Sequence, residues 1–360
     1  MEYILEKTMK GGSGMNITER IYLELKQRLE NGVYPPGSRF PSETTLADEF
    51  SVNKMTMNKI VSMLAEKQYL VRGVRGAGTR VAEIQAFSRG IIAFLSPLTP
   101  YTVHVLRGVY SEAVRHNYSV QVESPRIEDL QHRLTMLRNE GVIGVISVTY
   151  GVPVLPEGMM LFCVDSSPVP AFAGQKVHFI NSDNYQGGVR MMKDIIRRGH
   201  REILIYSSER FHTRMDTPKT PRVCGFHQVM EEYGIFDFEE RTFYAAWHSP
   251  EDARQFLRQY LKKYPETTLI AADSDGAAEQ IHAAALELGL ECPGQIALTG
   301  FGNVTQLPIA NVNQNPERQG ELAARHLIEY ARTGACSAPF SEQVETSLTN
   351  VESIPIRLSV

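Results

Sequence analysis

Apolar side chains recur at Ile17, Ile21, Leu25 and Leu29 with charged residues between them, a spacing that predicts an amphipathic helix over 17–30. Asn31-Gly32 and Pro35-Pro36-Gly37 end it. Pro41-Ser42-Glu43 opens a second helix: Ser42 suits the N-cap, Glu43 suits the positive first turn, and Leu46, Ala47 and Phe50 form the inward face. After the break at Ser51-Val52, Asn53 can cap a third helix to about Lys67, with Met57, Ile60, Val61 and Leu64 inward. Tyr69-Leu70-Val71 and Thr79-Arg80-Val81 flank a glycine-rich tip and read as a β-hairpin. Three helices followed by a hairpin make a winged helix-turn-helix.

Beyond Gln85 the pattern changes. Ile91-Ile92-Ala93-Phe94-Leu95 is an unbroken apolar run, suited to a parallel strand buried on both faces. A helix follows over about 102–116, then a short strand at 119–123. Further strands are predicted at 142–148, 160–164, 202–206, 242–244, 268–272 and 296–299, with helices at 185–198, 220–232, 250–263, 276–288 and 316–331. Strands alternating with helices over such a length indicate a doubly wound α/β architecture, whose ligands bind beyond the carboxyl ends of the strands. The organisation expected is 1–14 as linker or tag (Gly11-Gly12-Ser13-Gly14 precedes a plausible start at Met15), 15–83 as the winged helix, 84–88 as linker, and 89–360 as the larger domain.

A length of 360 residues suits two domains, and 42% hydrophobic with 22% charged residues is ordinary globular composition. The net charge of −4 conceals an uneven distribution: residues 15–85 hold ten Lys/Arg against eight Asp/Glu, so the remainder is acidic. The four cysteines, Cys163, Cys224, Cys292 and Cys336, are scattered without a C-x-x-C pair, as expected for reduced thiols in a cytoplasmic protein. No apolar run approaches the roughly 18–20 residues that span a bilayer, and the first residues lack the pattern of a secretory signal.

The positive charge concentrates on the third helix and the hairpin: 51–83 carries six Lys/Arg against two acids. Lys54, Thr56, Asn58 and Lys59 occupy polar positions of the helix's first turns, while Arg72, Arg75 and Arg80 stand beside glycines that let backbone approach a groove. Arg39-Phe40-Pro41-Ser42-Glu43, Leu46-Ala47, Phe50, Val52, Thr56 and Gly76-Ala77-Gly78-Thr79-Arg80-Val81 together resemble the GntR-type winged helix-turn-helix over roughly 16–82. The resemblance implies that Arg39 and Ser42 contact the DNA backbone, that Lys54, Thr56, Asn58 and Lys59 face the major groove, with Arg75 on the wing, and that Gly78 enters the minor groove. The chain departs from that pattern at Asn53-Lys54, where Ser-Arg is usual, and at Asn58, where Arg is usual. Arg grips guanine whereas Asn favours adenine, so an unusual operator is expected. The tip Gly73-x-x-Gly76-x-Gly78 is not a nucleotide loop: its spacing differs and no helix follows it.

Asp183-Asn184-Tyr185-Gln186-Gly187-Gly188, Arg198-Gly199-His200-Arg201, Arg222-Val223-Cys224-Gly225-Phe226, Ser274-Asp275-Gly276-Ala277-Ala278, 293–301 and Gln314 before Pro316 resemble, in order, the LacI/GalR regulators and their periplasmic sugar-binding relatives over about 89–358. The resemblance implies two lobes with a polar effector between them, Arg222 clamping it, Asp275 accepting its hydroxyls, and Trp247 stacking on it. Ser96, Tyr101, Asp165, Ser274 and Gln314 complete the expected effector set. Trp247 also suits a core, Tyr101 and Asp165 also suit structural roles, and Asp183 reads equally as a helix cap. Where relatives carry Asp after the Gly300-Phe301 step this chain has Gly302, and Ser274 stands where Asn is favoured, so the effector's identity does not carry over.

His104, His116 and His132 are dispersed, and no H-E-x-x-H, Cys/His cluster or nucleophile elbow appears, so neither a metal, a cofactor nor catalysis is expected. The joint reading is a homodimeric transcriptional regulator, a repressor by default, that binds operator double-stranded DNA and releases it when a small polar effector, a sugar first and a purine second, closes the lobes. A solute-binding protein serving a transporter and a sugar-processing enzyme are the rivals from other classes.

Overall fold

The structure, a computed structural model, describes residues 16–73, 78–82, 89–148, 155–166, 177–208, 220–245, 249–334 and 341–357. It divides into two compact units, Met1–Arg89 and Gly90–Val360.

The first unit is built from α1 (Ile17–Glu30), α2 (Glu43–Glu49), α3 (Lys54–Glu66), β1 (Leu70–Arg72) and β2 (Thr79–Val81). Each helix starts on a side-chain cap that satisfies one of its orphan amides. Asn16 Oδ1 accepts from Thr18 N, Ser42 Oγ from Thr45 N and Asn53 Oδ1 from Thr56 N, at 3.2, 3.1 and 2.7 Å. Ile21, Leu25, Leu29, Leu46, Met57, Ile60, Val61 and Leu64 make one buried cluster, closed on the hairpin side by Leu70 and Val81. These are the inward positions of the periodic pattern. The hairpin pairs Leu70 with Val81 and Arg72 with Thr79.

The second unit holds two six-stranded sheets. The first has the order β13-β7-β6-β5-β3-β4, from β3 (Ile91–Leu95), β4 (Ser119–Glu123), β5 (Val142–Val148), β6 (Leu161–Val164), β7 (Val177–Ser182) and β13 (Ser341–Val344), all parallel. The second has the order β14-β12-β11-β10-β8-β9, from β8 (Ile203–Ser208), β9 (Thr242–Ala245), β10 (Leu269–Ala272), β11 (Ala297–Gly302), β12 (Ala310–Asn313) and β14 (Ser347–Thr349). It is parallel except for β14, antiparallel to β12. Helices α4 (Pro100–Arg115), α5 (Leu130–Asn139) and α10 (Pro316–Thr333) cover the first sheet; α6 (Asn184–Arg197), α7 (Pro221–Glu232), α8 (Pro250–Lys263) and α9 (Asp275–Glu287) cover the second. The chain changes lobe after β7, returns to the first through α10 and β13, and crosses again to β14. Each lobe is therefore closed by a distant piece of sequence.

The doubly wound α/β expectation holds, and two lobes are present. The alternation of apolar runs did not reveal β7, β12, β13, β14 or α5. In β7 the reason is His178, which is buried yet polar and stacks on Phe162 with ring centroids 4.8 Å apart. In β11 the glycines Gly300 and Gly302 lie inside a fully buried strand, so the pattern at 296–299 ends before the strand does. Helix α4 begins at Pro100, two residues before the expected start, because Thr99 and Thr102 form a reciprocal capping box there.

Candidate functional site

On the first unit, Arg39, Ser42, Glu43, Thr44, Lys54 and Gly78 line a cavity of about 490 Å³. Residues 39–44 bring the chain into α2, Lys54 opens α3, and Gly78 ends the hairpin tip, so three separated stretches of sequence meet. Gly78 has φ +75°, and a Cβ there would sit 3.3 Å from Arg39 Nε. Glycine thus lets the wing lie against the arginine without strain. The cavity presents two cations, Arg39 and Lys54, beside a Glu43 carboxylate that Asn58 and Arg72 engage, and the cations suit phosphate oxygens.

On α3, Lys54, Asn58 and Lys59 are exposed and Thr56 is half-buried. Asn58 is engaged: its Nδ2 donates to both carboxylate oxygens of Glu43 at 2.9 and 3.0 Å, and Arg72 Nη2 reaches the same carboxylate at 3.3 Å. A residue expected to read bases is thereby held by an acid on α2, which the separate reading of each helix did not anticipate. Arg75 lies outside the described residues.

In the second unit the described residues of the expected effector set sit near the carboxyl ends of strands from both sheets. Asp165 follows β6 with φ +52°, and Gln314 follows β12. Arg222 stands in the first turn of α7, behind the Thr220 cap and Pro221. Gly188 of α6 packs directly on the Arg222 carbonyl, so close that any Cβ would collide with it, and this approach places the guanidinium.

Arg222 is buried and engaged on several sides. Its Nε donates to Asn184 Oδ1 at 3.1 Å and its Nη1 to the Asp273 carbonyl at 2.8 Å; Nη2 lies 3.7 Å from Asp165 Oδ2, and the group stacks 4.4 Å above the Phe301 ring. Gln314 Nε2 donates to Asn184 Oδ1 at 3.0 Å and to Asp165 Oδ1 at 3.3 Å. Gln319 joins this set to Tyr101, donating to its hydroxyl at 3.0 Å and to Ser182 Oγ at 2.9 Å. Burial, reinforced by the Asp165 carboxylate, pushes the Tyr101 phenol well above its ordinary range, so it stays protonated. Tyr101, Asp165, Arg222 and Gln314 therefore share one polar network across the two lobes.

Three expected residues are placed differently. Asp275 is buried, and its oxygens accept from Val304 N (2.6 Å), Thr305 N (3.1 Å) and Asn311 Nδ2 (2.5 Å), all within its own lobe. Ser274 caps α9 through Ala277 N, and Ser96 donates to the Pro97 carbonyl. Trp247 lies outside the described residues. Asp183 caps α6 through Gln186 N, as one of its two readings expected. Asn184, Ser182, Asp273 and Gln319 were missed. Asn184 stood inside a quoted motif, but nothing in its sequence position separates it from the cap beside it. Among the described residues no cluster of His, Cys, Asp or Glu could hold a metal ion, and no helix is long and apolar enough to cross a membrane.

Residues 17–81 match the family model for bacterial regulatory proteins of the gntR family, and 193–354 match that for the periplasmic binding protein-like domain. The chain joins a gntR-type regulatory domain to a periplasmic binding protein-like domain. The head cavity falls inside the first match; Arg222, Asp273, Asp275 and Gln314 fall inside the second, which begins after Tyr101, Asp165 and Asn184. Among curated relatives, this two-domain chain is similar to the HTH-type transcriptional regulator GntR of Escherichia coli K12, 25% identical over 80% of this chain and 91% of the relative. It is similar also to the arabinose metabolism transcriptional repressor of Geobacillus stearothermophilus, 22% identical over 86% and 90%. Its fold matches a transcriptional regulator CelR–cellobiose complex with TM-score 0.61 and 18% identity over 86% of this chain and 98% of that one. A LacI family regulator of Enterococcus faecium with bound ribose matches with TM-score 0.59 and 16% identity over 72% and 96%.

Proposed function

We propose that this protein is a cytoplasmic, homodimeric transcriptional repressor whose grip on operator DNA is controlled by a sugar bound between the lobes of its larger domain. The observation that carries the reading is the pairing, in one chain, of a two-cation cavity at a helix start with a buried arginine–carboxamide–carboxylate network at the strand ends of two facing lobes. The head supplies phosphate contacts through Arg39, Ser42 and Lys54, with Gly78 admitting the wing to a groove; Thr56, Asn58 and Lys59 lie on the groove-facing helix. Arg75 adds a wing cation.

The sugar class is favoured by the relatives, whose names include an arabinose metabolism repressor and whose solved structures include cellobiose and ribose complexes. Carboxamides that both donate and accept, Asn184 and Gln314, beside the donor Arg222 and the acceptor Asp165, match a polyhydroxyl ligand. A dimer is favoured by α4, where Val103, Tyr110 and Val114 are exposed at helical spacing. Effector binding draws on both lobes at once, and a coupling of about 1–3 kcal/mol to operator binding suffices for release.

The test is binding of the full chain to DNA flanking its own gene, followed by fluorescence anisotropy. One fragment is expected to bind tightly with a steep salt dependence, and Arg39→Ala and Lys54→Ala should each flatten the log–log slope by about 1. A sugar should weaken that binding. Equal, salt-insensitive affinity for every fragment would sink the reading.

A further inference from the structure

Glu43 sits half-buried where α2 begins and gathers donors from two other elements of the head. Asn58 of α3 gives it Nδ2, at 2.9 and 3.0 Å from the two carboxylate oxygens, and Arg72 of β1 reaches it with Nη2 at 3.3 Å. The same Nη2 donates to Ser62 Oγ at 2.9 Å, and Ser62 Oγ donates to the Asn58 carbonyl at 2.8 Å. Asn58 is therefore tied through both side chain and backbone, while Arg72 offsets the charge that Glu43 would otherwise turn toward phosphates. A carboxylate can only accept, so the nitrogen of the Asn58 carboxamide must be the end that faces it. Its oxygen then points away from Glu43, whichever of the two amide hydrogens the carboxylate takes. Asn58 is exposed, and among the described residues no donor engages that oxygen.

We infer that Glu43 is a positioning residue for base readout: it turns the Asn58 oxygen outward, so that α3 selects a base with an exocyclic amino group, adenine or cytosine, at the operator position that Asn58 contacts. This deepens the operator-binding reading and rests on it. In the major groove adenine N6 and cytosine N4 donate, whereas guanine and thymine present acceptor oxygens that repel an outward carbonyl. A free asparagine could turn either end toward the bases and would not discriminate in this way. Here the reversed carboxamide would set its oxygen against the Glu43 carboxylate and leave that acceptor without its donor, so the head itself opposes the turn. The adenine preference expected of asparagine alone thus widens to the two amino bases.

The experiment selects tight binders from a randomised duplex library with the full-length protein and sequences them. The contacted position is the one whose selected base changes in Asn58→Ala, and fluorescence anisotropy then compares four duplexes that differ only in that base pair. The parent chain is expected to bind the adenine and cytosine duplexes more tightly than the guanine and thymine ones by about fivefold or more. In Glu43→Ala that gap should close to about twofold or less, although Ser42 still caps α2. Adding Glu43→Ala to Asn58→Ala should change nothing further at this position. A further change there would mean that Glu43 acts apart from Asn58 and would overturn the inference. A gap that survives Glu43→Ala, a parent preference for guanine or thymine, or no position that responds to Asn58→Ala would also overturn it, with the operator reading left standing. A library from which the parent chain enriches no sequence would overturn both.

Discussion

At the scale of single residues, Asp275 and Arg222 show how similar motif positions acquire different duties. Arg222 reaches across lobes, so its partners are the groups an effector would rearrange. Asp275 instead holds the turn after β11, accepting two backbone amides and the Asn311 carboxamide. Removing it leaves buried amides without an acceptor, which costs about 1–3 kcal/mol. Asp275→Ala is therefore expected to lower the urea midpoint of the second unit as well as blunt any sugar response, whereas Arg222→Ala should act mainly on the response. Equal stability of Asp275→Ala and the parent chain in urea would refute the structural role. Arg222 and Asp275 were legible as polar residues in recognisable surroundings. Asn184, Asp273 and Gln319 were not, because what marks them is a hydrogen bond to something more than thirty residues away in the chain, and local sequence contains no trace of that.

At the scale of elements, caps and periodicity were readable and close approach was not. Ser42 and Asn53 begin their helices as the sequence implies, since a short acceptor before an amphipathic run has one geometrically favoured use. The contact between α6 and α7 is different: Gly188 and Gly225 bring backbone against backbone, and the glycines become meaningful only when both helices are in place. Gly188→Ala must push α7 outward and carry Arg222 with it. The expected outcome is a loss of about 1–3 kcal/mol in stability, as for other overpacked contacts, with sugar affinity falling in the same variant. Thermal unfolding and calorimetry on one preparation check both. Unchanged stability would mean that the helices separate at no cost, contrary to the packing seen.

At the scale of the whole second unit, two buried histidines set a dependence on acidity. His200 joins Thr268 to the Pro355 carbonyl and so ties the carboxyl-terminal segment to the second lobe; His178 stacks on Phe162 in the first. Burial lowers both below the ordinary value of 6.5, helped at His178 by the charge of His326. The unfolded chain thus binds protons more readily than the folded one below that value, and stability falls as pH drops through it. The melting temperature should be flat above neutrality and decline between about pH 6.5 and 5, with a shallower decline in His200→Gln. A melting temperature that rises on acidification over that interval would contradict the assignment.

The order of apolar and polar side chains by itself determined the three-helix head with its hairpin, the alternation of strand and helix in the larger domain, and the concentration of positive charge on the third helix and hairpin. Those features follow from periodicity, capping and composition, which act over a few turns of chain. Tertiary structure alone decided that Glu43 holds Asn58, that Asp165 meets Arg222 across two lobes, and that β13 and β14 complete sheets begun more than a hundred residues earlier. Such pairings depend on which distant segments the fold brings side by side, at the surface for Glu43 and Asn58 and in a buried, low-dielectric space for Asp165 and Arg222, where a charged or carboxamide group takes the partner the fold delivers.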